Sequence, residues 1–276
     1  MKRLFAIFLA LALCFTATPA IAEVQDMLAY VYSWDGKQSA DGKPVLTRIT
    51  SGITFKVLAV DSDTSETIYE PSDQDSGALT SLTNPVTTTN FNSATVCNDR
   101  VAFRVDPTDA TNDRYVDLIV VDTAGGYTQF VENFDKYTRT IVLDERPNMV
   151  HHGMIWYTDT TTDETDTGID FDYDTMILGV AIEEVSGQTG GSITVGLLST
   201  ETSGDADGLL VGTSTVTAGY PLITLATSGA LMDDATNFDP NGHTVVSANA
   251  RSLSYTMYTT GDEANGYIHY RFIRNR

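Results

Sequence analysis

Positive charge is scarce in this chain of 276 residues. It has 16 lysines and arginines against 37 aspartates and glutamates, which gives a formal net charge of −21 at pH 7. A surface of that sign repels nucleic-acid phosphates and anionic lipid headgroups, so we exclude both as partners on electrostatic grounds. The acidity favours solubility, and it also provides carboxylates that attract divalent cations.

Long apolar runs are equally scarce, and the one that stands out lies at the N-terminus. Residues 4–15 are apolar without a break, Lys2 and Arg3 precede them, and Ala20 and Ala22 follow in an A-x-A arrangement. This pattern predicts a secretory signal peptide at residues 1–22, cleaved to leave Glu23 as the first residue. The run is too short to cross a bilayer, and no later segment is apolar enough. We therefore expect a secreted, periplasmic or cell-surface protein. The simpler alternative is a buried N-terminal helix.

Cysteine is almost absent, with Cys14 and Cys97 as the two residues of this type. Because Cys14 would leave with the signal peptide, no intrachain disulfide is expected. An exported protein without disulfides depends on its hydrophobic core, and the chain is long enough to build one. Cys97 is either a buried, inert side chain beside a strand or a free reactive thiol.

A sustained helical period is missing after the signal peptide, and a period of two takes its place. Apolar residues alternate with polar ones in several segments, which is typical of half-buried strands. The faces predicted in this way are Ile53/Phe55/Val57, Val101/Phe103/Val105, Met176/Leu178/Val180/Ile182, Leu253/Tyr255/Met257 and Ile268/Tyr270/Phe272. Clusters rich in Asp, Gly, Asn and Ser separate them and supply turns. The prediction is an all-β protein made of two antiparallel β-sandwich modules, jelly-roll-like or Ig-like.

We place the boundary between the modules at the polar segment that contains Pro147, since proline cannot donate to a β-ladder. The predicted first module covers residues 45–148, and the second covers residues 149–276. Residues 23–44 form an N-terminal strand and linker. The strand, residues 27–34, is apolar on both faces, which is typical of a strand covered on both sides. It either pairs within its own module or adds to the sheet edge of a neighbouring copy.

Motifs that carry catalysis are mostly missing. The sequence has no nucleophile elbow, phosphate loop, dinucleotide fingerprint or pair of histidines at zinc-binding helical spacing. The neighbours His151 and His152 would point to opposite faces of a strand, and His269 is expected to face solvent. We therefore predict a non-catalytic protein, and the sequence identifies no cofactor with certainty. Composition alone does not exclude a pair of catalytic carboxylates of the glycosidase type, because the chain has so many acidic residues.

Clustered aspartates are candidates for a Ca²⁺ site, because this ion takes six to eight oxygen ligands. The candidate ligands are Asp170, Asp172, Asp174, Asp205 and Asp207, with Asp61 and Asp63 as a further pair. None of these clusters matches the EF-hand pattern. Plain solubility explains the same acids. The aromatic side chains Trp34, Trp156 and Tyr157 are candidate platforms for a carbohydrate, with packing in the core as the commoner alternative.

Two groups of segments resemble phage proteins. Residues 67–69, 77–86, 101–105 and 115–119, which include the strings LTNPV and VAFRV, resemble a small β module of tailed-phage structural proteins. Residues 193–196, 204–210, 218–219 and 252–273 resemble the β-sandwich of phage capsid-decoration and tail-associated proteins. The resemblance implies a non-catalytic surface protein present in many copies.

The signal peptide departs from this resemblance, because virion proteins assemble in the cytoplasm and usually carry none. Either a phage-type module has been recruited into an exported bacterial protein, or the resemblance reflects only a shared architecture. The main prediction is an exported structural or surface-binding protein that associates with itself or with another surface or virion protein. The alternative is an exported carbohydrate-binding or carbohydrate-active protein.

Overall fold

The fold is known from a computed structural model that describes residues 25–60, 65–71, 80–86, 100–105, 115–158, 162–171, 175–186, 192–201, 204–214, 238–239, 243–245, 251–257 and 265–274. These residues form eighteen β-strands in four sheets, and no helix occurs among them. The prediction of an all-β sandwich protein is thereby confirmed. Within the described ranges, no helix with the length and apolarity to cross a bilayer is present.

The strands of the first half build two sheets. They are β1 (Gln25–Trp34), β2 (Thr47–Arg48), β3 (Ile53–Leu58), β4 (Ile68–Tyr69), β5 (Ser81–Leu82), β6 (Arg100–Val105), β7 (Tyr115–Asp122), β8 (Tyr127–Asp135) and β9 (Thr140–Asp144). Sheet I has the order β2-β1-β6-β4-β5, with β9 also paired to β1, and sheet II has the order β3-β7-β8.

Strand β1 lies inside sheet I. It pairs antiparallel with β6 through its first half, and parallel with β9 through its second half. Because β2 and β9 both pair with Tyr32 and Ser33, they must flank β1 on opposite sides. The N-terminal strand therefore pairs within its own chain. Its coverage on both faces was predicted wrongly: Met27, Ala29 and Val31 are fully buried, whereas the alternate side chains from Leu28 to Trp34 are half-buried.

Sheets I and II pack through aromatic rings. Phe103 of sheet I lies 5.8 Å from Phe55 and 5.9 Å from Phe134 of sheet II, measured between ring centroids. Strand β3 of sheet II is also covered on its opposite face, since every residue of this strand is buried. There the Lys56 Nζ atom lies 4.6 Å from the ring centroid of Tyr267, a residue of the second half.

The second half builds sheets III and IV. Its strands are β10 (Val150–Thr158), β11 (Thr165–Phe171), β12 (Thr175–Ser186), β13 (Ser192–Leu197), β14 (Asp205–Ser214), β15 (Phe238–Asp239), β16 (His243–Val245), β17 (Arg251–Met257) and β18 (Asn265–Arg274). Sheet III has the order β10-β18-β12-β16-β15, and sheet IV has the order β11-β17-β13-β14.

This strand order is that of a jelly roll. If the short pair β15–β16 counts as one strand, the eight strands that the structure describes in the second half run 1-8-3-6 in sheet III and 2-7-4-5 in sheet IV. Such an order results when a long antiparallel hairpin is rolled up into two Greek keys. Of the two sandwich types predicted, the jelly-roll type is therefore correct for this half.

Aromatic side chains fill the space between sheets III and IV. Phe171 of sheet IV lies 5.5 Å from Tyr270 and 5.7 Å from Phe272 of sheet III, and Tyr157 lies 6.0 Å from Tyr255 across the same gap. These five rings are each at most 5% exposed. Aromatic pairs at such distances supply much of the burial energy of a core.

The turn between β7 and β8, residues 123–126, joins the two halves. Its Gly126 carbonyl accepts a hydrogen bond of 2.6 Å from the hydroxyl of the buried Tyr270, and its Thr123 carbonyl accepts one of 2.8 Å from the Asp170 amide. Gly126 has a φ of +69°, and a Cβ atom there would lie 3.2 Å from both Ile169 and Phe171. Glycine is therefore required at the tip of the turn. The predicted boundary at residue 148 lies between β9 and β10, and it stays a prediction.

Candidate functional site

A group of aromatic and arginine side chains lies on the outward face of β1. Tyr30, Tyr32 and Trp34 alternate with the core-facing residues of this strand, so they project away from sheet II. The Arg48 guanidinium lies 4.2 Å from the Tyr30 ring centroid, and the Arg146 guanidinium lies 4.9 Å from that of Trp34. Each contact is a cation–π pair. We call these five residues the aromatic–arginine patch.

Backbone pairing and one carboxylate hold the patch in place. Arg48 stands opposite Tyr32 in the β1–β2 pairing. Arg146 donates from Nε to both carboxylate oxygens of Asp144, at 2.9 and 3.0 Å. This hydrogen bonding lowers the pKa of Asp144 below its usual value and raises the pKa of Arg146. The indole Nε1 of Trp34 donates to the Lys37 carbonyl at 2.9 Å. These contacts fix the positions of Trp34 and Arg146 within the patch.

Carboxylates gather on the outward face of sheet IV. Ser252 and Ser254 of β17 alternate along the strand with the core residues Leu253 and Tyr255, and both serines are themselves buried. The Ser252 hydroxyl lies 2.9 Å from Asp170 and 3.0 Å from Glu201, and the Ser254 hydroxyl donates to Glu164 at 2.7 Å. A serine hydroxyl has one hydrogen, so Ser252 donates to only one of its two carboxylates at a time. We call these residues, with both serines, the acidic face.

The structure places the predicted Ca²⁺ ligands Asp170, Asp205 and Asp207 in different surroundings. Asp170 belongs to the acidic face. The sequence did not indicate the other two carboxylates of this face, those of Glu164 and Glu201. They reach the serines of β17 only because β11, β13 and β17 pair in one sheet. Asp205 accepts from the Asp207 amide at 3.4 Å, and burial, then the Asp207 carboxyl, raises the pKa of Asp205.

The other aspartates of the calcium hypothesis, Asp61, Asp63, Asp172 and Asp174, lie outside the described residues, and so does Cys97. Within the part of the chain that the structure describes, no three His, Cys, Asp or Glu side chains come together as a metal site. Ca²⁺ binding therefore stays a hypothesis.

The three aromatic candidates for carbohydrate binding are placed differently. Tyr157 is 1% exposed and packs against Tyr255 in the roll interior, so its prediction as a platform was wrong. Trp156 is half-buried and packs against the core from the other face of β10. Trp34 is half-buried, and the Arg146 guanidinium covers one side of its ring. The structure does not bring the three side chains together.

Comparisons with known proteins add little. No protein-family model matches the chain, and no curated protein matches it. The structure titled as the VP2 subviral particle of infectious bursal disease virus aligns with 94% of this chain and 74% of its own, at a TM-score of 0.28 and 9% identity. Structures of the Gt and Gx strains of that virus align with 91% of this chain and 72% of theirs, at TM-scores of 0.26 and identities of 9% and 8%. Values this low establish neither a common fold nor a common function.

Proposed function

We propose that this chain is an exported, non-catalytic structural protein whose copies associate at a surface through the aromatic–arginine patch. The observation that carries the proposal is the composition of the patch: tyrosine, tryptophan and arginine are the side chains most enriched among residues that dominate binding energy at protein interfaces. In this chain, side chains of these three types lie together on the face of β1 that points away from sheet II. The exposed apolar residues Val45 and Leu46 adjoin them, since the Val45 amide donates to the same Lys37 carbonyl as the Trp34 indole.

The occupant that we propose for the patch is the acidic face of a second copy. The patch carries the guanidinium groups of Arg48 and Arg146, of which that of Arg146 is already paired with Asp144, in a chain with a net charge of −21. The carboxylates of Glu164, Asp170 and Glu201 of a second copy have the opposite charge to these groups. The two surfaces lie on different sheets, I and IV. A contact between them is therefore heterologous, and it leaves a free patch at one end and a free acidic face at the other, to which further copies add.

The filled interior of the jelly roll supports a role on the outer surfaces. Folds of this type that bind ligands internally need space between their sheets, and here Tyr157, Phe171, Tyr255, Tyr270 and Phe272 occupy that space. No specific observation favours the carbohydrate alternative. The tailed-phage version, in which the chain is a virion or decoration component, stays part of the proposal and rests on the sequence resemblance alone.

Charge reversal in the patch tests the self-association. We expect sedimentation velocity of the mature chain to show association that grows with protein concentration and weakens with added salt, which screens charges. Arg48→Glu should weaken this association about tenfold or more, equivalent to about 1.4 kcal/mol. Arg271→Glu, the same charge change at an exposed position on sheet III, should leave it almost unchanged. A mature chain that stays monomeric at high concentration would contradict the proposal.

Export is tested separately. The basic start, the apolar run and the A-x-A site together lead us to expect that material recovered outside the cytoplasm begins at Glu23. N-terminal sequencing of the protein expressed with its full leader decides the question. Retention of Met1 on that material would overturn the export part of the proposal and leave the self-association part standing.

A further inference from the structure

Three polar side chains line up across neighbouring strands of sheet III. His152 belongs to β10, His269 to β18 and Glu183 to β12, and β18 lies between the other two strands. The Nε2 atom of His152 lies 3.1 Å from the Nδ1 atom of His269, and the Nε2 atom of His269 lies 2.5 Å from a carboxylate oxygen of Glu183. His269 was predicted to face solvent; its ring is half-buried and has a partner on each side.

The two imidazole rings point their nitrogens at each other. Their centroids are 5.2 Å apart with 23° between the planes, and the 3.1 Å between the nitrogens accounts for most of that separation. The rings therefore meet edge to edge, not face to face. One hydrogen bond between His152 Nε2 and His269 Nδ1 fills the short space between them.

Glu183 fixes which nitrogen of His269 is available. A carboxylate at 2.5 Å accepts the hydrogen on Nε2, so the lone pair of the neutral ring lies on Nδ1, the atom that faces His152.

We propose that His152 and His269 form a two-imidazole site for a divalent transition-metal ion. Two nitrogens that each bind one ion at about 2.0–2.1 Å lie about 3 Å apart in adjacent coordination positions, and the separation here is 3.1 Å. The ion binds the tautomer of His152 that carries its hydrogen on Nδ1, so the proton that lay between the rings passes through solvent to that atom. Each ring also turns by about 40°, because an ion at about 2.0–2.1 Å from both nitrogens lies off the line that joins them. Glu183 orients His269 from behind, as carboxylates do in carboxylate–histidine–metal arrangements.

The ligand type selects the metal. Imidazole suits zinc, nickel and copper, and Cu²⁺ binds most tightly among the divalent ions of the first row. With only two protein ligands, the remaining positions of the ion are open to water or to a donor from another molecule. His151, the sequence neighbour of His152, is turned to the opposite face, where its ring packs against Tyr127 and Phe272 at 4.9 and 5.3 Å.

Titration of the mature chain with Cu²⁺, followed by isothermal calorimetry and electron paramagnetic resonance, tests the site. We expect one tight site whose spectrum shows two imidazole nitrogens. His152→Ala and His269→Ala should each weaken binding at least about a hundredfold. Glu183→Gln should weaken it about tenfold, the effect expected for a residue that orients a ligand.

Two controls separate this site from scattered binding by acidic groups. His243→Ala, at a histidine of another strand, should leave both the affinity and the two-nitrogen spectrum unchanged. Zn²⁺ should raise the midpoint of thermal unfolding of the unsubstituted chain and not that of His152→Ala, because a ligand that binds the native state stabilises it. Binding of Cu²⁺ to His152→Ala with unchanged affinity, or a spectrum without two nitrogens, would overturn the proposal.

Discussion

Gly153→Ala is expected to destabilise the protein by about 3 kcal/mol, the upper end of the usual cost of overpacking a core. Gly153 of β10 stands directly opposite Tyr270 of β18, and a Cβ atom there would lie 2.0 Å from one ring carbon of Tyr270 and 2.1 Å from another. The ring has no room to retreat, because it is fully buried, meets Phe171 edge-on and donates its hydroxyl to Gly126. Urea unfolding followed by circular dichroism measures the change.

A double-mutant cycle assigns this cost to the ring of Tyr270. Tyr270→Leu removes the atoms that the new methyl group would meet, so Gly153→Ala should cost less than about 1 kcal/mol in that background. Gly42→Ala is the matched control. That glycine has a φ of +75°, and nothing lies within 4 Å of the place where a Cβ atom would stand, so only backbone strain of about 1 kcal/mol is expected. Equal costs of Gly153→Ala in the two backgrounds would show that the clash is not with Tyr270.

Phe103→Ala should lower the free energy of unfolding by about 3–5 kcal/mol, the range found for emptying an aromatic position in a core. Phe103 is fully buried, and its ring connects sheets I and II through Phe55 and Phe134. The second part of the expectation concerns the other half of the chain. Sheets III and IV contain none of these rings, yet they should lose stability together with sheets I and II.

The contacts between the halves are the reason for this coupling. The Tyr270–Gly126 hydrogen bond is buried, the Arg274 guanidinium donates to the Gly125 carbonyl at 3.2 Å, and Thr128 bonds to both the amide and the carbonyl of Met154. Unfolding one half would leave these groups without their partners in the other half. Unpaired buried polar groups each cost about 1–3 kcal/mol.

The two tryptophans make the coupling measurable, because Trp34 lies in the first half and Trp156 in the second. In a Trp34→Phe background, the fluorescence of Trp156 reports on sheet III alone. Phe103→Ala should shift its urea midpoint by the same amount as the midpoint seen by circular dichroism. A Trp156 transition that stays in place while a second, earlier transition appears would instead show two independently folding modules.

Strand β12 shows where a period of two succeeds and where it fails. Met176, Leu178, Val180 and Ile182 were predicted to share the buried face. Val180 and Ile182 are buried, but Met176 and Leu178 are half-buried, and Ile177 is buried in their place. The pairing of β12 with β18 shifts register between Ile177 and Gly179. A bulge adds one residue, so side chains before it point to the opposite face from the one that alternation predicts.

Strand β3 shows a different limit. The alternation of Ile53, Phe55 and Val57 with polar residues predicts that one face of the strand is exposed to solvent. On that face, however, Lys56 is only 7% exposed. The alternation correctly identifies the side that faces Phe103. The other side is buried by Tyr267, which lies far along the chain in the second half, and no local pattern carries that information.

The charged groups were the least predictable part. The sequence indicated aspartates that are close together along the chain. In the structure, Ser252 contacts Asp170 and Glu201, and Ser254 contacts Glu164. The alternation rule did place His151 and His152 on opposite faces. It could not show that His152 meets His269, because that contact depends on the order β10-β18-β12.

The interior position of β18 in sheet III has a consequence for folding during biosynthesis. Strand β10 and strand β12 both pair with β18, and the ribosome makes β18 after every other strand of the roll. Until residue 274 has been added, both earlier strands carry an edge without its neighbour, and such edges invite pairing with other chains. The second half of the nascent polypeptide therefore cannot close during most of its translation. A process that requires an unfolded polypeptide, such as translocation across a membrane, can act during that interval. A chaperone that binds unpaired strand edges has its greatest effect in the same interval.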